Sequence, residues 1–172
     1  MNYYGINIHH LRVVHRQEYE LKYNQFQYCL YSYSQSNQYT PKGQMAGTIG
    51  YLITGEYYGE KVMGMTQAAN FEMSIMALLH GLQKINHQHH SKRPAHILIY
   101  VSNGLLKDIF TKPLRIKDKS AVKRIKHNLE LIKLLDHAFQ QFKVSIADYP
   151  LSNDNLMVDK IKHDVQIKAN QL

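Results

Sequence analysis

Ala69-Asn70-Phe71-Glu72-Met73 opens a long amphipathic segment, and the reading of the whole chain turns on it. From here Phe71, Ile75, Leu78, Leu79, Leu82 and Ile85 fall on one face of a helix. Upstream the periodicity is different. Over residues 25–34, Phe26, Tyr28 and Leu30 alternate with Gln27, Cys29 and Tyr31, and the aromatic enrichment favours a strand. Residues 34–43 carry turn chemistry in Ser, Asn, Pro and Gly. Residues 45–54 read as a second strand and residues 57–65 as a third. The short Gly55-Glu56 connection between them implies antiparallel hairpin pairing. The switch of period at Ala69 therefore ends a three-strand meander and starts a crossover helix.

Downstream, residues 86–94 form a polar loop and residues 95–101 a short, wholly apolar run, the pattern of a strand buried on both faces. Asn103-Gly104 breaks that strand. Residues 105–110 suit a short helix that stops before Pro113. Ser120 is positioned to cap a longer helix, whose apolar set is Ile125, Leu129, Ile132, Leu135, Phe139 and Phe142. Residues 144–147 read as a strand and 148–154 as a loop. Residues 155–167 read as a last helix, with Val158, Ile161 and Val165 facing inward. The order β-β-β-α-β-α-β-α predicts an α/β domain with a five-stranded mixed sheet. Its first three strands are antiparallel, its last two run parallel to strand one, and helices cover both faces. This domain spans residues 26–168. Residues 1–25 form a polar N-terminal extension rich in Tyr and His, with Ile6, Ile8 and Val13 as candidates for an extra strand. Its expected role is an added edge strand or a homodimer contact.

The chain has 172 residues, enough for a substantial core, and its 44% apolar content is that of a globular protein. A formal charge of +8 points to an anionic partner, more often nucleic acid than an acidic membrane surface. The single cysteine, Cys29, excludes a disulfide within the chain and a Cys-based zinc site, and its apolar neighbours make it a buried strand residue. No signal-peptide pattern opens the sequence and no apolar run reaches membrane-spanning length. The expectation is a cytoplasmic protein without a membrane partner.

Four segments, in this order, carry a resemblance to ribonuclease H over residues 26–168. Ala69-Asn70-Phe71-Glu72-Met73, followed by Ala77-Leu78 and Gly81-Leu82, is similar to the family's Asn-x-Met-Glu-Leu helix start. Ile99-Tyr100-Val101-Ser102-Asn103 is similar to its Tyr-Thr-Asp-Ser strand end. Residues 112–126 stand where several members carry a basic handle. Asn155-Leu156-Met157-Val158-Asp159 is similar to its Asn-x-x-x-Asp helix start.

The resemblance implies a ribonuclease H-like fold, in which four carboxylates hold two divalent ions, Mg²⁺ or Mn²⁺, for phosphodiester hydrolysis. Glu72 and Asp159 match two of those acids. Ser102 and Ser32 stand where the family has the other two, and no Asp or Glu occurs between Glu20 and Glu56 to replace the first-strand acid. The family's loop histidine is also missing from residues 148–154. Two carboxylates do not offset two divalent ions, and serine hydroxyls are weaker ligands for hard cations. The resemblance thus implies a nucleic-acid-binding protein for RNA/DNA hybrid or structured RNA, with catalysis impaired or absent. A single weakly held Mg²⁺ or Mn²⁺ on Glu72 and Asp159 is the most it leaves. Two alternatives stand beside this. One is a metal-dependent ribonuclease with a rearranged acid set drawing on Asp108 or Asp148. The other is a protein-interaction module reusing the fold.

Within the handle-like segment, Lys112, Arg115, Lys117, Lys119, Lys123, Arg124 and Lys126 face a single acid, Asp118. Such a ridge would contact phosphates; a solvated helix start is the competing reading. Basic residues oppose the dipole at a helix N-terminus, so helix stability does not account for them. His87, His89 and His90, and His9, His10 and His15, are read as exposed polar histidines in preference to metal ligands. The tyrosines concentrated in the first forty residues are read as strand packing in preference to base stacking.

Overall fold

The alternating run around Tyr28 becomes a nine-residue strand inside a six-stranded mixed sheet. The computed structural model describes residues 2–3, 6–9, 11–15, 25–36, 46–66, 69–148 and 156–170. Two short strands, β1 (Asn2–Tyr3) and β2 (Ile6–Asn7), pair only with each other. They are followed by β3 (Arg12–His15), β4 (Tyr28–Ser36), β5 (Ala46–Gly55) and β6 (Gly59–Thr66). Helix α1 (Asn70–Gln88) crosses to β7 (His96–Tyr100). Then come α2 (Gly104–Thr111), a 3₁₀ turn at Pro113–Arg115, α3 (Lys119–His127), α4 (Leu129–Gln140), β8 (Lys143–Asp148) and α5 (Leu156–Asn170).

The strand order is β3-β8-β7-β4-β5-β6. β4, β5 and β6 form the expected antiparallel meander. β7 runs parallel to β4, with Leu30 opposite Ile99, and β8 runs parallel to β7. The count differs from the expected five. β3 adds a sixth strand, parallel to β8, with Val13 opposite Ile146. Val14 of this strand and the nearby Ile8 are buried on opposite sides of the sheet, in separate core clusters. Burial against residues far along the chain makes this strand, and four residues are too few to show a period.

Because the central strands are covered on both sides, successive residues feed different cores. Leu30, Ile53, Ile97 and Ile99 pack beneath Ile75, Leu78 and Leu82 of α1, with Ile125 and Ile132 from α3 and α4 in the same cluster. Cys29, Tyr31, Leu52, Leu98 and Tyr100 pack beneath Val158, Ile161 and Val165 of α5. Each fully buried aliphatic side chain contributes about 1.5–3 kcal/mol relative to exposure. Gly81 lets α1 lie close on the sheet, since a Cβ there would stand 2.4 Å from Leu30 Cδ1. Gly55 turns the chain between β5 and β6 at φ 108°, a backbone that side chains disfavour.

Three local expectations are corrected. The single helix expected over residues 120–142 is two helices meeting at Asn128, whose Nδ2 donates to the Arg124 carbonyl at 2.9 Å. An asparagine side chain competes with the helical ladder in this way. Phe142 lies beyond α4, in the turn into β8, and is still buried. The cap of α3 is Asp118, not Ser120: Asp118 Oδ2 accepts the Ala121 N–H at 3.2 Å. α1 also continues to Gln88, into the expected loop.

Asp136 of α4 is buried and anchors the N-terminal segment. Its Oδ1 accepts the His9 backbone N–H at 3.1 Å. Its Oδ2 pairs with His9 Nδ1 at 3.2 Å and accepts from Gln140 Nε2 at 3.1 Å. Among the described residues no helix is long and apolar enough to cross a membrane. Of the turn expected over 34–43, residues 34–36 belong to β4, and of the loop expected over 148–154, Asp148 ends β8; the rest of both, together with Asn155, Tyr4, Tyr19, Tyr23, Tyr39 and His10, lies outside the described residues.

Candidate functional site

Along β4 the side facing α1 changes character. Tyr28 and Leu30 are core; the next residues on that side are Ser32, Ser34 and Ser36. The strand has run past the apolar part of the helix and reached its polar first turn. Here Ser34 Oγ lies 2.9 Å from Ser74 Oγ, and Ser74 Oγ donates to the Asn70 carbonyl at 3.0 Å. Asn70 Oδ1 accepts the backbone N–H of Ser36 at 3.1 Å. Asn70 thus ties the start of α1 to the strand rather than capping its own helix, and Ala69 supplies no side-chain cap.

These residues wall an open groove of about 400 Å³. Ser102 and Asn103, at the exit of β7, form its other side, together with Tyr33 and Gln35. Asn103 is held in place by capping α2, its Oδ1 accepting the Leu106 N–H at 2.9 Å. Tyr33 carries Lys162 of α5 over its ring at 5.9 Å, which puts a positive charge near the groove rim.

Of the expected site residues, Ser102 is half-buried in the groove wall. Ser32 is only 8% exposed, and its hydroxyl donates to the Tyr100 carbonyl in a long bond of 3.4 Å. Glu72 is half-buried on α1, between the groove-lining Asn70 and Ser74, and Asp159 is half-buried in the first turn of α5. Neither carboxylate belongs to the groove lining. Asp108 is half-buried within α2, and the side chain of Asp148 lies outside the described residues.

Among the described residues no three His, Cys, Asp or Glu side chains cluster as a metal site. The groove offers hydroxyls and amides, neutral donors that hard divalent ions take less readily than carboxylates. The described donor set therefore does not fit a pair of divalent ions.

The basic segment begins where α2 ends. α2 has eight residues, so it carries the chain roughly 12 Å from the groove exit. Lys112 is half-buried at that end; Arg115, Lys117, Lys119, Lys123, Arg124 and Lys126 are exposed. Lys119, Lys123 and Lys126 share one face of α3. The lone acid of the segment, Asp118, is occupied as the α3 cap.

Ser34, Ser36 and Ser74 escaped the sequence reading. Their available signal was the run of serines at alternate positions of β4 beyond Leu30, with Asn70 and Ser74 one helical turn apart. One of the expected exposed histidines is half-buried and bonded: His89 Nδ1 pairs with Tyr28 Oη at 3.1 Å and its Nε2 with the Arg93 carbonyl at 2.9 Å.

The strand order, the parallel return of β7 and β8 and the helices on both faces define a ribonuclease H-like fold. Solved structures bear this out. The N-terminal ribonuclease H domain of a Mycobacterium tuberculosis protein is similar at TM-score 0.59 and 13% identity, covering 84% of this chain and 96% of that one. LC11-RNase H1, solved with an RNA/DNA hybrid, is similar at TM-score 0.57 and 12% identity, covering 82% of this chain and 98% of that one. A foamy viral protease-reverse transcriptase, also solved with RNA/DNA hybrid, gives TM-score 0.63 and 10% identity over 87% of this chain and 21% of that longer one. No protein-family model matches the sequence, and no curated protein matches it.

Proposed function

We propose that this protein binds nucleic acid, RNA/DNA hybrid or structured RNA, and hydrolyses it weakly or not at all. The observation that carries this reading is the neutral groove. Its wall is hydroxyl and amide and includes Ser102, one of the two serines that stand where the family resemblance expects aspartates; the other, Ser32, is buried on β4 outside that lining. Such donors can hydrogen-bond phosphate and sugar oxygens without holding a metal pair. The exposed basic residues of the 112–126 segment add charge for backbone attraction. Two of the similar folds were solved with an RNA/DNA hybrid, which supports that substrate class. In this reading Glu72 and Asp159 are remnant acids, able at most to hold one Mg²⁺ or Mn²⁺ weakly.

Fluorescence anisotropy with labelled hybrid, double-stranded RNA and double-stranded DNA at low salt tests binding. A cleavage assay in Mg²⁺ and in Mn²⁺ runs alongside, with a Glu72→Ala/Asp159→Ala control. Binding with cleavage no greater than the control is expected. Absence of affinity for every duplex, or robust cleavage that the control abolishes, overturns the proposal.

A further inference from the structure

The far half of α1 borders a second cavity, of about 520 Å³, between the helix and the β5–β6 hairpin. Its lining includes Lys61 on β6 and His80, Lys84 and His87 on α1; no Asp or Glu lines it among the described residues. Gln83 adds an amide donor. Tyr51, 6% exposed, also lines it. Burial, with Tyr57 beside it, raises the Tyr51 phenol above its ordinary value, so it stays a neutral donor at physiological pH. Lys84 is steadied over the Tyr57 ring at 5.8 Å.

We infer that this cavity is a binding site for a small phosphorylated ligand of nucleotide size. Two ammonium groups, two imidazoles and a phenol converge with no opposing carboxylate, a donor set suited to a phosphate dianion. The volume exceeds what a bare phosphate needs and falls in the range of small-molecule pockets, about 300–1,000 Å³. The site is an open hollow, its rim including the exposed Lys61, Gln83 and His87. Along α1 the nearest lining residues of the two sites, His80 and Ser74, stand six positions or roughly 9 Å apart. The inference is independent of how the groove is read.

The test is an amide NMR titration of the full chain with inorganic phosphate and with adenosine monophosphate. Shifts at His80, Gln83, Lys84 and His87, without shifts at Ser34 and Asn103, are expected, with the nucleotide binding tighter than phosphate. A Lys61→Gln/Lys84→Gln variant should weaken nucleotide binding by about tenfold or more. A Tyr51→Phe variant should weaken it less, with an unchanged spectrum in the free protein. The site is refuted if neither probe moves these resonances at millimolar concentration. It is also refuted if the shifts survive in the double lysine variant, or if only an RNA/DNA duplex produces them.

Discussion

Ser34 and Ser74 meet hydroxyl to hydroxyl at 2.9 Å, joining the central strand to the first turns of α1 through uncharged groups. In a two-metal nuclease this region would carry carboxylate charge and depend on cations to neutralise it. Here uncharged hydroxyls join the two elements, a contact that needs no counter-ion.

Putting acids back should make that independence disappear. Ser32 is almost fully buried, so an aspartate there places a carboxylate in a poorly solvated position. A Ser32→Asp/Ser102→Asp variant should lose roughly 3 kcal/mol or more of stability in the presence of EDTA. Millimolar Mn²⁺ or Mg²⁺ should restore part of the loss by binding the folded state. Thermal melts with and without metal check this. An equal shift of the unmodified protein on adding metal would contradict it.

Nucleic-acid affinity should fall steeply with salt. Each of Lys119, Lys123 and Arg124 that contacts a phosphate releases counterions on binding. Neutralising Lys123 and Arg124 with glutamine should reduce the slope of log K against log salt by about one for each contact removed. The loss should be similar across sequences. A change confined to one sequence, with the slope intact, would show that these residues do not grip the backbone.

Asp136 should be costly to remove. Its two oxygens take the His9 N–H, His9 Nδ1 and Gln140 Nε2. In Asp136→Ala those donors lose a buried acceptor, at about 1–3 kcal/mol. Urea unfolding gives the total, and hydrogen exchange should locate the loosening at Ile8 and His9. Protection there equal to the original protein would show that the clamp is not what orders the segment.

Lys160 of α5 bridges Glu60 of β6 and Asp164, and this sets a pH dependence. The hydrogen bonds from Glu60 and then Lys160 hold Asp164 below its ordinary carboxylate value. A carboxylate lowered in the folded state contributes stability above its unfolded value and loses it as pH falls toward the folded one. Burial, followed by the Asp164 hydrogen bond, raises Glu60, which gives the opposite slope as pH rises past the ordinary glutamate range. The stability gap between the original protein and Asp164→Asn should therefore narrow as pH drops below the ordinary aspartate range. Unfolding curves stepped through acid pH measure it; a constant gap would refute the assignment.

What could be read from residue order was whatever burial forces into a period. Tyr28 and Leu30 against Cys29 and Tyr31, and the helical phase of Ile75, Leu78 and Leu82, serve two cores on either side of one sheet, and their spacing announces it. β3 left only a faint trace, Val13 as a candidate for an extra strand, because Val13 and Val14 acquire their partners only beside Ile146 and Ala147. The groove was half legible. Ser102, singled out through the resemblance of its strand end to the family's, lines it. Ser34, Ser36 and Ser74 were not singled out, because a hydroxyl in a wall looks like a hydroxyl in a turn. Asn128 shows the same difficulty in reverse, a polar residue that interrupts a helix whose apolar steps run straight through it.

The His9–Asp136 clamp joins residues 127 positions apart, and β3 reaches as far to find β8. At roughly 5–20 residues per second of synthesis, the early segment waits on the order of ten seconds for its partners. Throughout that interval the exposed edge of the growing sheet has no cover of its own. The N-terminal segment can therefore take its place in the sheet only after β8 has left the ribosome.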